Sequence, residues 1–255
     1  MNISQIIFSP TGGTKRVTDI ITKACGMPVS EIDLTNAEFD YASVHMKEDD
    51  IAVLAVPSYG GRVPPLATQR ISKICGNRAQ CIIVCVYGNR AYEDTLIELK
   101  DIAEKSGFKV IAAVTAIAEH SIMHQYAAGR PDAKDKQELQ NFAKKIVEKI
   151  NNNVTETSAP QMPGNYPYKK AGGAGLVPKA DNKCTNCGLC AQNCPAQAIS
   201  KENFKDTDSK KCISCMRCVV KCPQSARKVN GAMVSVAALA MKKVCSARKA
   251  NELYI

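Results

Sequence analysis

The chain has no tryptophan and only three histidines among its 255 residues, and aromatic side chains amount to 5%. Proteins that stack nucleic-acid bases interleave aromatic with basic residues, so this scarcity argues against nucleic acid as a partner, despite a formal net charge of +10. Long apolar runs are lacking as well. The uncharged stretch near the C-terminus, 229–241, is well short of the roughly 18 apolar residues that a membrane span requires. No basic segment precedes the short apolar stretch at the N-terminus, so a secretory signal is not expected and a cytoplasmic location is. Neither Gly-x-Gly-x-x-Gly nor a Gly-Lys-Ser/Thr phosphate loop occurs, which leaves NAD and ATP without the cradles they commonly use.

Acid is scarce in only one part of the chain. Residues 158–255 carry 5 Asp and Glu against 16 Lys and Arg, while 1–157 carry 19 against 18, so nearly all of the surplus charge belongs to the C-terminal part. The change falls in a stretch where prolines 160, 163, 167 and 178 alternate with glycines and no apolar periodicity survives. The expected organisation is therefore a first domain at 1–157, a linker at 158–175, a small second domain at 176–230 and a C-terminal extension at 231–255.

Within the first domain, apolar runs rich in Ile and Val at 3–8, 29–34, 51–57, 81–87 and 108–117 read as five buried strands. Helix-compatible stretches at 14–25, 65–74, 91–105 and 132–150 alternate with them, and Gly26, Gly76 and Gly107 stand just past three of these. Strand and helix in alternation imply an α/β, doubly wound parallel sheet, whose ligand site lies beyond the carboxyl ends of the strands. The first such loop, Ser9-Pro10-Thr11-Gly12-Gly13-Thr14, offers hydroxyls, flexible glycines and helix N-terminal N–H groups to an anion. An ordinary capped turn is the competing reading. Two further loops follow the third and fourth runs, Ser58-Tyr59-Gly60-Gly61 and Tyr87-Gly88-Asn89-Arg90-Ala91-Tyr92, and Ala118-Glu119-His120-Ser121 follows the fifth.

Cysteine is abundant, at 13 residues, and its spacing is informative. Cys184, Cys187, Cys190 and Cys194 with Pro195 spell C-x-x-C-x-x-C-x-x-x-C-P, and Cys212, Cys215, Cys218 and Cys222 with Pro223 repeat it. In runs of this type three thiolates hold one 4Fe-4S cluster and the fourth ligates the other cluster. Cluster one thus takes Cys184, Cys187, Cys190 and Cys222, and cluster two takes Cys212, Cys215, Cys218 and Cys194. Zinc would leave the third cysteine and the proline of each run unexplained. So small a domain has too few apolar residues for a self-sufficient core, and cluster insertion should supply much of its folding energy. Cys25, Cys75, Cys81, Cys85 and Cys245 are assigned no chemistry.

The Phe8-to-Thr14 loop resembles the FMN phosphate loop of flavodoxins, and the cysteine half resembles bacterial ferredoxins with two 4Fe-4S clusters. Together they resemble flavodoxin-ferredoxin fusions, found largely in anaerobic microbes. That resemblance implies a flavodoxin-like five-stranded sheet of order 2-1-3-4-5 followed by a small α+β bicluster domain. It implies FMN held by Ser9, Thr11, Gly12, Gly13, Thr14, Ser58, Tyr59, Gly60, Gly61, Tyr87, Gly88, Asn89, Arg90 and Tyr92. Tyr59 and Tyr92 are the candidates for stacking on the flavin, and Tyr92 and His120 the candidates for proton donation. The implied function is electron transfer between the clusters and FMN, linking a low-potential donor to redox partner proteins. Acidic partners would be steered by the basic charge that remains after the clusters and flavin phosphate are neutralised. Two alternatives stand beside it: a ferredoxin-dependent FMN reductase acting on a small organic substrate, and a flavin-free ferredoxin docking module. The extension, with apolar residues at 232, 234, 236, 237, 239, 240 and 244, reads as a helix packed on the second domain.

Overall fold

The computed structural model describes residues 2–152, 159–172 and 175–255. The expected boundary at 157 and 158 therefore lies outside the described residues, as does Gly173 of the linker. Five strands are parallel, β1 (Ile3–Ile7), β2 (Val29–Asp33), β3 (Ile51–Pro57), β4 (Gln80–Tyr87) and β5 (Lys109–Ile117), in the order β2-β1-β3-β4-β5. This is the doubly wound order expected from the sequence, with the strand order reversing beside β1. Helices α1 (Gly13–Ala24), α2 (Pro65–Ile71), α3 (Thr95–Lys105) and α4 (Ala133–Asn151) connect or follow them.

The sheet is covered on both faces. Val17 and Ile21 of α1 and Leu139, Ala143 and Ile146 of α4 pack with Ile3, Val53, Val84 and Val114 on one side. Ala67 and Ile71 of α2 and Leu96 and Leu99 of α3 pack with Ile6, Leu54, Ile83 and Ala113 on the other. Strands buried on both faces explain why β3 to β5 read as continuous Ile/Val runs. β2 differs from expectation: Val29, Ser30 and Glu31 are exposed, because it is the edge strand and pairs only with β1 among the described residues. Helix α4 starts at a capping box in which Asp132 accepts from the Asp135 N–H and Asp135 reaches back to the Asp132 N–H.

The second lobe is built from two short antiparallel strands, β6 (Lys179–Ala180) and β7 (Arg227–Lys228), and two four-residue helices, α5 (Leu189–Gln192) and α6 (Arg217–Val220). It docks directly on the first. Arg70, 8% exposed, donates to the carbonyl of Leu34 at 2.6 Å and to that of Pro195 at 2.6 Å, bridging the lobes through one planar group. Ile213 packs against the core of the first domain. The linker is docked as well: Asp94, 1% exposed, accepts from the N–H groups of Asn165 at 2.9 Å and Lys169 at 2.7 Å.

The C-terminal extension departs from the sequence reading. It forms the expected helix, α7 (Gly231–Cys245), but Ala238 and Cys245 pack on Met123 and Tyr126, beyond the end of β5 in the first domain. The chain then adds β8 (Glu252–Tyr254), antiparallel to β5, as a sixth strand of the sheet. A helix apolar on several faces carries no record of which surface it covers, and Val236 and Leu239 stay exposed in place. Asn251 fixes the turn into β8, accepting from the Ile117 N–H at 3.0 Å and donating to Asp135 at 3.0 Å.

Candidate functional site

The loops at the carboxyl ends of β1, β3, β4 and β5 enclose a cavity of about 550 Å³, within the range of sites for cofactor-sized ligands. Thr11, Gly13, Thr14, Ser58, Tyr59, Gly60, Tyr87, Gly88 and His120, all chosen from sequence, line it. Gly12 caps α1 in the left-handed region at φ 90°, where a side chain is disfavoured, and provides no side-chain cap. The Lys15 N–H is taken by the Ser9 hydroxyl at 2.9 Å and the Arg16 N–H by the Gly12 carbonyl at 3.0 Å. Among the described residues, the N–H groups of Gly13 and Thr14 have no such acceptor, which suits this loop to an anion. Ser9 and Gly12 face a neighbouring pocket of about 270 Å³ that shares Pro10 and Thr11 with the main cavity.

Tyr59 is set by a tight turn in which its N–H donates to the Arg62 carbonyl at 3.0 Å and the Arg62 N–H donates back at 3.2 Å. Gly60 and Gly61 hold that turn at φ 60° and 85°. Gly61 is turned away from the cavity, and a Cβ there would strike the Glu93 side chain. Gly88 is fixed for another reason: a Cβ would stand 2.6 Å from the His120 ring. His120 Nδ1 accepts from the N–H groups of Ile122 at 3.2 Å and Met123 at 3.1 Å, so the neutral ring carries its proton on Nε2. Burial, with the charges of His124 and Arg90, lowers its pKa, so the ring stays neutral at the pH where an ordinary histidine begins to take up a proton.

Besides Ser9, Gly12 and Gly61, three more residues selected from sequence lie outside the main cavity. Asn89 donates to the carbonyls of Cys245 at 2.7 Å and Ala247 at 2.8 Å; Arg90 pairs with Glu93 at 2.9 Å; and the Tyr92 hydroxyl meets Glu252 at 2.8 Å and Tyr254 at 3.0 Å. All three hold the C-terminal segment or their own loop instead of lining the main cavity. Tyr92, the candidate for stacking and for proton donation, is thus placed beside the main cavity's lining and not in it. Its neighbour Tyr87, in edge contact with it at 5.3 Å, does reach the cavity.

The fourth wall of the cavity comes from the other lobe. Cys212, Ile213 and Ser214 line it together with Tyr59. Burial and the charge of Cys215 push the Tyr59 phenol well above its ordinary pKa, so Tyr59 stands between the loop glycines and the cysteine lobe as a neutral hydroxyl.

The eight cysteines of the two runs are free thiols in two groups. Cys184, Cys187, Cys190 and Cys222 line one small cavity. Burial raises the thiols of Cys212, Cys215 and Cys218, the last two to about 11 and about 12, and the charge of Cys194 pushes all three the same way. The fourth cysteine of each run therefore sits with the three of the other run. Among the described residues, no three Cys, His, Asp or Glu side chains converge as one metal ion demands.

The backbone repeats with the cysteines at an interval of 28 residues. Asn186, Gly188 and Gln197 have φ of 56°, 77° and 48°, and Ser214, Met216 and Ser225 have 53°, 61° and 48°. These kinks turn N–H groups toward sulfur: Ala198 donates to Cys194 Sγ at 3.3 Å and Ala226 to Cys222 Sγ at 3.3 Å. Burial alone would raise the Cys222 thiol, but the N–H groups of Ala226, Arg227 and Gln224 outweigh it and favour the thiolate.

Sequence reasoning passed over Arg227, which is 2% exposed, lines the first cysteine cavity and donates to Thr207 Oγ1 at 2.7 Å. Its charge favours the thiolates of Cys212, Cys218 and Cys222. A buried cation between two thiolate sets offsets part of their mutual repulsion.

Residues 183–227 match the family model described as a 4Fe-4S dicluster domain. No curated protein matches the chain. Among solved structures it is similar to the flavodoxin of Streptococcus pneumonia TIGR4, with 18% identity over 58% of this chain and 99% of that one and a TM-score of 0.42. It is also similar to two-electron reduced Megasphaera elsdenii flavodoxin, with 19% identity over 56% and 98% of the two chains and a TM-score of 0.40. Rubredoxin oxygen:oxidoreductase from Desulfovibrio gigas is similar over 59% of this chain and 36% of its own, with 13% identity and a TM-score of 0.43. The strand order, more than these pairwise likenesses, identifies the sheet.

Proposed function

Because the chain joins a flavodoxin-like sheet to a 4Fe-4S dicluster domain, we propose that it is an iron-sulfur flavoprotein that passes electrons between two 4Fe-4S clusters and FMN. The single observation that carries this reading is the shared cavity, in which the loops after β1, β3, β4 and β5 face Cys212, Ile213 and Ser214. Bound FMN supplies one- and two-electron chemistry, and each cluster supplies one-electron steps.

In this reading Thr11, Gly13 and Thr14 hold the flavin phosphate with hydroxyls and N–H groups. Tyr59 packs on the ring, and His120 Nε2–H donates to a polar edge of the flavin. Cys194, Cys212, Cys215 and Cys218 would hold cluster two, with Cys212 on the wall of the shared cavity. Cys184, Cys187, Cys190 and Cys222 would hold cluster one; none of these four lines the main cavity, and Cys187 and Leu189, the latter 39% exposed, give this group an exposed outer face. The outer face is where a soluble redox protein would dock, and the basic charge around it favours an acidic one.

Cofactor content tests the reading. Anaerobically purified and reconstituted protein should contain about eight irons, about eight sulfides and one FMN per chain. Eight irons without flavin would make the first domain a docking scaffold and overturn the relay.

A further inference from the structure

The phosphate loop is approached from the cysteine lobe by a cation that the sequence did not single out. Arg217 sits in the second cysteine run, between Cys215 and Cys218, and opens α6. It lines the pocket beside the loop together with Ser9, Thr11 and Gly12. Its side chain is only 15% exposed, and its one ion pair among the described residues is a loose 3.5 Å contact to Asp33 Oδ2. Asp33 Oδ1 is occupied by the N–H and hydroxyl of Thr35 at 2.8 and 2.6 Å. Arg217 Nε is buried and has no hydrogen-bond partner among the described residues.

A guanidinium carries five N–H donors, and burying even one of them without a partner is costly. The other charges around the pocket do not meet this need. Lys15 is drawn to Asp19 and Glu31, Glu31 is engaged by Lys15, and Lys221 adds a second positive charge from α6. On its other side Arg217 lies between Cys215 and Cys218 of the second cysteine run and gives its main-chain N–H to Cys215.

We propose that Arg217 is a phosphate-binding residue for FMN, supplied to the phosphate loop by the cluster lobe. The inference rests on the flavin reading above. It makes one cation the shared counter-ion of two anionic groups, the flavin phosphate and the thiolates of cluster two. The segment that folds around cluster two then also completes the flavin site, so flavin affinity depends on a loaded cluster two. A loop that binds phosphate through N–H and hydroxyl groups alone would need no such residue.

The test compares FMN with riboflavin, which has the same ring and no phosphate, by titrating each into full-length, cluster-loaded, flavin-free protein. Arg217→Gln should raise the FMN dissociation constant by about tenfold or more, as the loss of a charge-assisted hydrogen bond does. Riboflavin affinity should change less than about twofold, because the ring contacts are untouched. Arg217→Lys should keep part of the preference for FMN, since it retains charge without the fork. Iron content and the cluster absorbance of each variant establish that the lobe is intact. An equal loss for both flavins, or no loss for either, would overturn the role of Arg217. Wild-type protein that takes up neither flavin would overturn the flavin reading itself, a distinguishable result.

Discussion

The Cys187→Ser variant should bind FMN as tightly as the parent chain and yet lose electron delivery from an external donor to the flavin. Cys187 is the exposed thiol of the group that lines the outer cysteine cavity, and none of that group lines the main cavity. A serine oxygen is a poor substitute for a thiolate on iron, so cluster one is lost or crippled. Iron should fall from about eight to about four per chain, while flavin content stays the same. Delivery should slow by at least on the order of tenfold, the loss commonly met when a metal site is disturbed. Stopped-flow reduction of the flavin by a reduced low-potential protein donor reads this directly. Unchanged flavin reduction in a variant with four irons would mean that electrons reach the flavin without cluster one.

Asp135→Ala should be the most damaging single change outside the cofactor sites. Asp135 is 0% exposed and Arg130 is 4% exposed, and Arg130 Nε donates to Asp135 Oδ2 at 2.8 Å while a second guanidinium nitrogen meets Oδ1. The same carboxylate accepts from the Asp132 N–H at 2.9 Å, Arg248 at 3.1 Å and Asn251 at 3.0 Å. Removing it leaves a buried guanidinium uncompensated, which costs about 3–5 kcal/mol. For a chain of this size that lowers the melting temperature by on the order of 10 °C. Because Arg248 and Asn251 lose an anchor, β8 should detach with it and expose Tyr92. The pH dependence has a definite sign. Burial alone would raise the Asp135 carboxyl, but the hydrogen bonds from Arg130, Asp132 and Asn251 hold it below its ordinary value of 3.8. Its contribution is therefore complete above that value and is lost as the pH falls through the lowered one. Thermal unfolding followed by circular dichroism checks the loss, and a change under about 1 kcal/mol would contradict a buried pair of this kind.

What could be read in the sequence follows from how local each signal is. β3, β4 and β5 are Ile/Val runs because helices cover both faces, and the cysteine spacing is a purely local pattern that nevertheless specifies a long-range exchange of ligands. The apolar residues of β2 read as a buried strand, although Ser30, Glu31 and Asp33 already describe the edge strand that it forms. β8 has three residues, too few to show a period. Asn89, Arg90 and Tyr92 have the composition of a cofactor loop, and the same hydrogen-bonding groups serve equally well to hold a returning tail. Only the path of the chain 156 to 162 residues later decides between the two. Arg70 and Arg227 could not have been found from sequence, since a buried arginine looks like any other in a basic stretch.

In the proposed relay, electrons move within one chain, from the cysteine lobe to the flavin across the shared cavity. The most direct test is to photoreduce the clusters of FMN-loaded protein with a short light pulse and follow flavin absorbance at several protein concentrations. The relay predicts that cluster reoxidation and flavin reduction proceed together, with a rate independent of protein concentration. A rate that rises in proportion to concentration, or clusters that stay reduced beside an oxidised flavin, would contradict it.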